Sequence, residues 1–192
     1  MFFGVLVGWI IGSQQAGPAR QASGTAAEAP AAQQPSQAPA LDESRAAALK
    51  AAAENNPKDA ATRIELGNLY FDHQRFQDAA RWYEAALAVD SRNVNVSTDL
   101  GIAYYYMNQP DLALKQFDRS LQMEAGHTKT LLNIGVVRAF AKQDLEGAAK
   151  AWQRVVDLAP TSPEADRARQ ALASLRAAHP DGGSAQPKDK PE

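Results

Sequence analysis

The chain has 192 residues, 45% of them hydrophobic, a formal net charge of -2 and a pI near 5.9. Its length suits one modest core, and its near-balanced charge excludes the basic footprint needed to grip a phosphate backbone, so nucleic acid is not an expected partner. It has no cysteine, which excludes disulfides, thiolate metal sites and thiol nucleophiles.

Residues 1–12 read MFFGVLVGWIIG, an uncharged apolar run that ends abruptly at a polar segment. As a helix this run spans roughly 18 Å, short of the ~30 Å of a hydrocarbon core. It lacks the basic n-region of a signal peptide. The preferred reading is the distal half of a membrane anchor whose start lies upstream of Met1; a short uncleaved signal-anchor, a signal peptide and a misread leader are the alternatives. Residues 13–40 are almost wholly Ala, Gln, Pro, Gly and Ser, with Arg20 and Glu28 the only charges. Such composition cannot bury enough apolar surface to offset its ordering entropy, so it reads as a disordered linker with a reach of roughly 30 Å. Residues 42–55 are Ala-rich and helical in propensity, with Pro57 where a unit would end.

An internal period follows. Leu66-Gly67, Leu100-Gly101 and Ile134-Gly135 recur at a spacing of 34 residues. Twelve residues beyond the first two glycines lie Ala79 and Ala113, with Ala148 one residue late in the third unit, and then Tyr83, Phe117 and Trp152. Apolar residues at helical spacing fall in two bursts per unit, separated by polar turns at 73–75, 108–109 and 142–144. Each unit is therefore a helical hairpin. A glycine inside a helix costs about 1 kcal/mol relative to alanine, so its recurrence predicts close approach of the second helix, with the alanines facing it. The aromatics are expected to fill the wedge between neighbouring hairpins. Repeats are expected at 60–93, 94–127 and 128–161. Beyond them Ser162 and Pro163 predict the start of an amphipathic helix over 163–178 that caps the stack, and residues 179–192 read as a disordered tail.

The period and its residues resemble the tetratricopeptide repeat family over about residues 60–160. The resemblance implies an all-α fold: a right-handed α-solenoid of three hairpins with a C-terminal capping helix and a preceding N-terminal helix. It further implies that the first helices line a concave peptide groove. Carried over position by position, the groove residues are Ile64, Asn68, Phe71 and Asp72, then Thr98, Ile102, Tyr105 and Tyr106, then Leu132, Asn133, Val136 and Phe140. That surface is aromatic and apolar, suited to a peptide with hydrophobic anchors; the competing reading makes Phe71, Tyr105 and Phe140 inter-repeat core. Members of the family that clamp C-terminal carboxylates use basic and amide residues here. Asn68 matches that pattern, but Ile64, Thr98 and Ile102 depart from it, and Lys129 is the nearby positive charge.

No residue pattern supports catalysis, a metal or a cofactor. His73, His127 and His179 lie in a turn, at a repeat junction and in the tail, where solvated loop histidines are expected. Asp59, Glu65, Asp99 and Asp144 stand singly on helix faces or in turns. The expected function is a membrane-tethered, non-enzymatic scaffold or assembly factor that holds a partner protein or peptide; the alternative is a structural, oligomerising component of a cell-envelope complex. The anchor, the linker and the lead-in Asn56-Pro57-x-Asp59 look like the tetratricopeptide subunits of bacterial cytochrome c biogenesis, which implies a narrower role in presenting apocytochrome. By analogy with bacterial envelope proteins carrying such linkers, the expected location is a single-pass membrane anchor with a periplasmic repeat domain.

Overall fold

The computed structural model describes residues 40–179. Among them the chain forms eight helices and no strand: α1 (Glu43–Asn55), α2 (Ala60–Asp72), α3 (Phe76–Val89), α4 (Val94–Tyr106), α5 (Pro110–Met123), α6 (Thr128–Phe140), α7 (Leu145–Leu158) and α8 (Pro163–Ala178). The pairs α2/α3, α4/α5 and α6/α7 are the three hairpins of an α-solenoid, with α1 before them and α8 after. The proposed linker and tail, apart from their innermost residues, and the whole of the apolar segment 1–12, lie outside the described residues.

The caps follow local chemistry. Asp42, Asp59, Asn93, Asp144 and Ser162 each accept a backbone N–H at the start of a helix. These bonds satisfy donors that no helical carbonyl can reach. Helices α3 and α5 start without a side-chain cap and rely on the turn before them. In those turns Gln74 and Asn108 take φ values of 58°. Arg75 N–H donates to the Tyr70 carbonyl at 2.9 Å, and Gln109 N–H to that of Tyr104 at 2.9 Å. This is the bonding of a Schellman ending, with a non-glycine residue in the left-handed position. The third turn carries one extra residue, so the left-handed position falls at Gln143 and the closing bond runs from Asp144 N–H to the Arg138 carbonyl.

The expected pairing of glycine with alanine is corrected by the packing. A Cβ on Gly67, Gly101 or Gly135 would overlap the ring of Tyr83, Phe117 or Trp152 respectively. Each aromatic therefore lies in the notch of its own hairpin instead of between neighbours. Ring against backbone requires the glycine; the alanines Ala79, Ala113 and Ala148, all 0% exposed, complete the seam. Terminal faces are covered by the flanking helices: α1 adds Ala46 and Ala53 to the core of the first hairpin, and α8 adds Ala165, Ala168 and Leu172 to that of the third.

A second correction concerns location. No helix of the described residues is long and apolar enough to cross a membrane. These helices have 13 to 16 residues and carry charged faces, whereas a span needs about 20 apolar residues. The expectation of a single-pass anchor with a periplasmic repeat domain thus finds no support, and the segment on which it rested is not among the described residues.

Candidate functional site

The first helices α2, α4 and α6 carry every groove position inferred from the sequence. Asn68, Asp72 and Phe140 are exposed, and Ile64, Phe71, Ile102, Tyr105, Tyr106, Asn133 and Val136 are half-buried. Leu132 is buried, and Thr98 is fully buried. Thr98 turns into the junction of the second and third repeats, where its hydroxyl donates to the Val94 carbonyl at 2.8 Å and shares a 2.7 Å bond with Thr130 Oγ1. Its assignment to the groove surface is corrected on that ground.

Aromatic rings gather at one end of this face. Phe71 meets Tyr106 edge-on with centroids 5.7 Å apart, and Tyr105 lies 5.7 Å from Tyr106. Phe76, at the start of α3, stacks on Tyr106 at 4.7 Å and 12°, and meets Phe71 edge-on at 5.2 Å. Phe76 was missed in the sequence reading because it belongs to a second helix; the signal was an apolar residue at the first helical position after the turn, matched by Pro110 and Leu145. Burial raises the phenol pKa of Tyr105 and Tyr106. Both rings stay neutral around neutral pH, and each presents an apolar body with a hydroxyl tip.

Two amides on the face are oriented from below. Tyr83, lodged against Gly67, donates its hydroxyl to Asn68 Oδ1 at 2.8 Å, which leaves the Asn68 amide hydrogens for a ligand. Asn133 Nδ2 donates to the Lys129 carbonyl at 2.8 Å, so its carbonyl oxygen is presented as an acceptor. The face thus offers donors at one repeat and an acceptor at another, the pairing an extended backbone or a polar side chain requires. Lys129 is held by Asp99 at 2.6 Å, so the charge nearest the face is already neutralised.

The remaining polar residues do structural work. Asp59 and Asp144 cap helices, and both carboxyls are held below the usual carboxylate range: Asp59 first by the Thr62 hydroxyl, Asp144 first by the Gly147 N–H. Glu65 pairs with Arg45 at 2.7 Å. His127 differs from the expected solvated histidine. Its Nδ1 lies 2.7 Å from Thr130 Oγ1 and its Nε2 3.2 Å from Asn95 Oδ1, and burial lowers its pKa. Among the described residues no group of His, Asp and Glu side chains could hold a metal ion.

The repeat signature is found by comparison as well as by spacing. The family model described as "TPR repeat" matches residues 67–108, and that described as "Tetratricopeptide repeat" matches residues 98–163. The chain is 30% identical over 120 residues to RNA polymerase II-associated protein 3 of Homo sapiens, covering 60% of this chain and 18% of that protein. It is 29% identical over 139 residues to the cytochrome c-type biogenesis protein CycH of Pseudomonas aeruginosa, covering 71% of this chain and 33% of that one. It therefore spans a third or less of the length of these relatives. Among solved structures, the first TPR of Spaghetti (RPAP3) bound to the HSP90 peptide SRMEEVD is similar with a TM-score of 0.57 and 27% identity, covering 64% of this chain and 94% of that one. Signature, hairpin geometry and structural likeness agree, and the chain belongs to the tetratricopeptide repeat family.

Proposed function

We propose that this protein binds a polypeptide partner along the face of α2, α4 and α6, using Phe71, Tyr105 and Tyr106 as an apolar anchor site and Asn68 and Asn133 as polar contacts. Tetratricopeptide repeats mediate protein–protein interaction, and a similar repeat domain is solved with a bound peptide. The observation that carries the reading is the half-buried cluster of Phe71, Phe76, Tyr105 and Tyr106. Rings that pack on one another yet remain partly open offer a rigid surface at low rotamer cost. Ile102, Val136 and Phe140 extend it along the solenoid. With Lys129 paired to Asp99, apolar anchors rather than an acidic terminus give this face its selectivity.

The test is peptide selection on the full chain followed by calorimetry. A selected peptide should bind Tyr106→Ala about tenfold or more weakly, as truncation of a buried aromatic anchor does. Asn133→Ala should weaken it less, with the fold of both variants intact by circular dichroism. Selected peptides with unchanged affinity for both variants would place the interface elsewhere.

A narrower reading is favoured by the similarity to CycH over 71% of this chain: the partner is an apocytochrome c segment. Equal binding of apocytochrome c and an unrelated unfolded chain of matched charge would remove it while leaving the peptide-binding reading intact.

A further inference from the structure

On another side of the solenoid, the ends of α3 and α5 and the start of α4 enclose a cavity of about 300 Å³ between the first and second repeats. Its lining is polar and basic. Arg92 and Arg119 both border it, and neither forms an ion pair with a carboxylate among the described residues. The nearby acids are engaged elsewhere: Asp90 accepts the Arg92 and Asn93 N–H groups, and Glu84 accepts the Tyr104 hydroxyl at 2.6 Å. Arg119 reaches only the Gln116 side-chain oxygen, at a weak 3.5 Å.

Beneath the guanidinium groups lies a buried polar floor. Ser97 is 0% and Gln116 5% exposed. Ser97 Oγ accepts from Gln116 Nε2 at 2.7 Å and from the Ser120 hydroxyl at 2.8 Å. With both lone pairs used, the Ser97 hydroxyl can only donate, and none of the hydrogen bonds of the described residues gives it an acceptor. Buried donors in native proteins are rarely left so. Two guanidiniums and a hydroxyl donor converge on one cavity, while Leu87 and Met123 supply apolar wall.

The next repeat is an internal control. At the positions equivalent to Ser97, Gln116 and Ser120 it has Leu131, Ala151 and Val155, all buried. Arg154, equivalent to Arg119, donates there to the Ala125 carbonyl at 2.9 Å. The hairpin stack is thus built equally well with an apolar floor, so packing alone does not call for the polar one.

We propose that this cavity binds an oxyanion, a carboxylate or phosphate group on a short stem, with Arg92 and Arg119 as charge-assisted donors and Ser97 as the buried donor. Guanidinium groups suit both anions because their planar forks bond two oxygens at once. The site shares no residue with the face of α2, α4 and α6, so it stands or falls independently of the peptide reading.

The test is nitrogen-15 NMR of the full chain, titrated separately with propionate and with inorganic phosphate at constant ionic strength. The expected result is saturable shifts at the Arg92 and Arg119 side chains and the Gln116 amide. The R92Q/R119Q double variant should bind about tenfold more weakly or lose the response, as removal of charge-assisted bonds implies. Arg167→Gln, which removes an exposed charge on α8, should leave the response unchanged. Tighter binding of propionate identifies a carboxylate as the natural group, and tighter binding of phosphate a phosphate. Shifts that never saturate, or an equal loss in Arg167→Gln, would reduce the effect to charge screening and overturn the proposal.

Discussion

At Gly101 two effects of opposite sign compete. Alanine is favoured over glycine in a helix by about 1 kcal/mol. At this position, however, the added Cβ would overlap the ring of Phe117, which is 0% exposed and has nowhere to move. Overpacking of that kind costs about 1–3 kcal/mol, so Gly101→Ala should lower stability in urea melts despite its better propensity, whereas an alanine that raised it would show that the ring can shift. His127 carries a pH dependence whose sign follows from its surroundings. Burial is the main cause of its lowered pKa, so the unfolded chain takes up this proton at a higher pH than the folded one. Stability from this site is complete above the unfolded value of about 6.5. It falls as pH drops through that value, and levels off only below the folded pKa. The melting temperature of wild type should therefore drop more between about pH 7.5 and about pH 5 than that of His127→Gln, and parallel curves would remove His127 from the account. Residue identity made the glycines and aromatics visible in the sequence, but which of them touch was not visible. Gly67 and Tyr83 are 16 residues apart on different helices, and only the crossing of α2 and α3 decides whether a ring or an alanine fills the notch. Thr98 was misplaced for a related reason: its position within the repeat matches groove residues elsewhere, yet Thr130 and His127 of the next repeat draw its hydroxyl inward.

Turns set where each element ends, and here they store strain. Gln74 holds a φ of 58°, a conformation that costs a side-chain-bearing residue about 1–2 kcal/mol and costs glycine little. Glycine also gains entropy in the unfolded chain, which takes back part of the difference. Gln74→Gly should thus stabilise by at most about 1 kcal/mol; destabilisation in chemical denaturation would mean that the Gln74 side chain makes a contact worth more than the strain. The elements themselves were legible. A spacing of 34 residues between glycine-bearing helices and a polar break in each unit yield three hairpins, and the late arrival of Ala148 shows the third turn to be one residue longer. Ser162 and Pro163 mark the start of α8 because the cap bond and the fixed proline dihedral are local properties. The anion cavity had no such local mark. Leu87, Ser97 and Gln116 come from three helices of two repeats, and no spacing rule joins them. Phe76 escaped for the same reason, since its partners Phe71 and Tyr106 lie on either side of it in different repeats.

Over the whole array, each hairpin is stabilised chiefly by its neighbours, so a change at one end should be felt unevenly. Helix α8 buries Ala165, Ala168 and Leu172 against Leu131, Leu132, Trp152 and Val155 of the third hairpin. It has no hairpin beyond it among the described residues. Leu172→Ala removes the largest of its three buried side chains and should cost about 2–5 kcal/mol, with the lower end favoured because a terminal helix can settle into the space. In a linear stack that loss loosens α8 and the α6/α7 hairpin first, since contacts reach only from one unit to the next. The cluster around Ala46, Leu66, Tyr70 and Tyr83 is separate from the one that Leu172 joins. Amide exchange should therefore accelerate in α8 and α7 of Leu172→Ala while protection in α2 and α3 holds near the wild-type level. Uniform acceleration across all eight helices would instead mean that the three hairpins unfold as one cooperative unit, with the coupling between repeats exceeding the stability of any one of them.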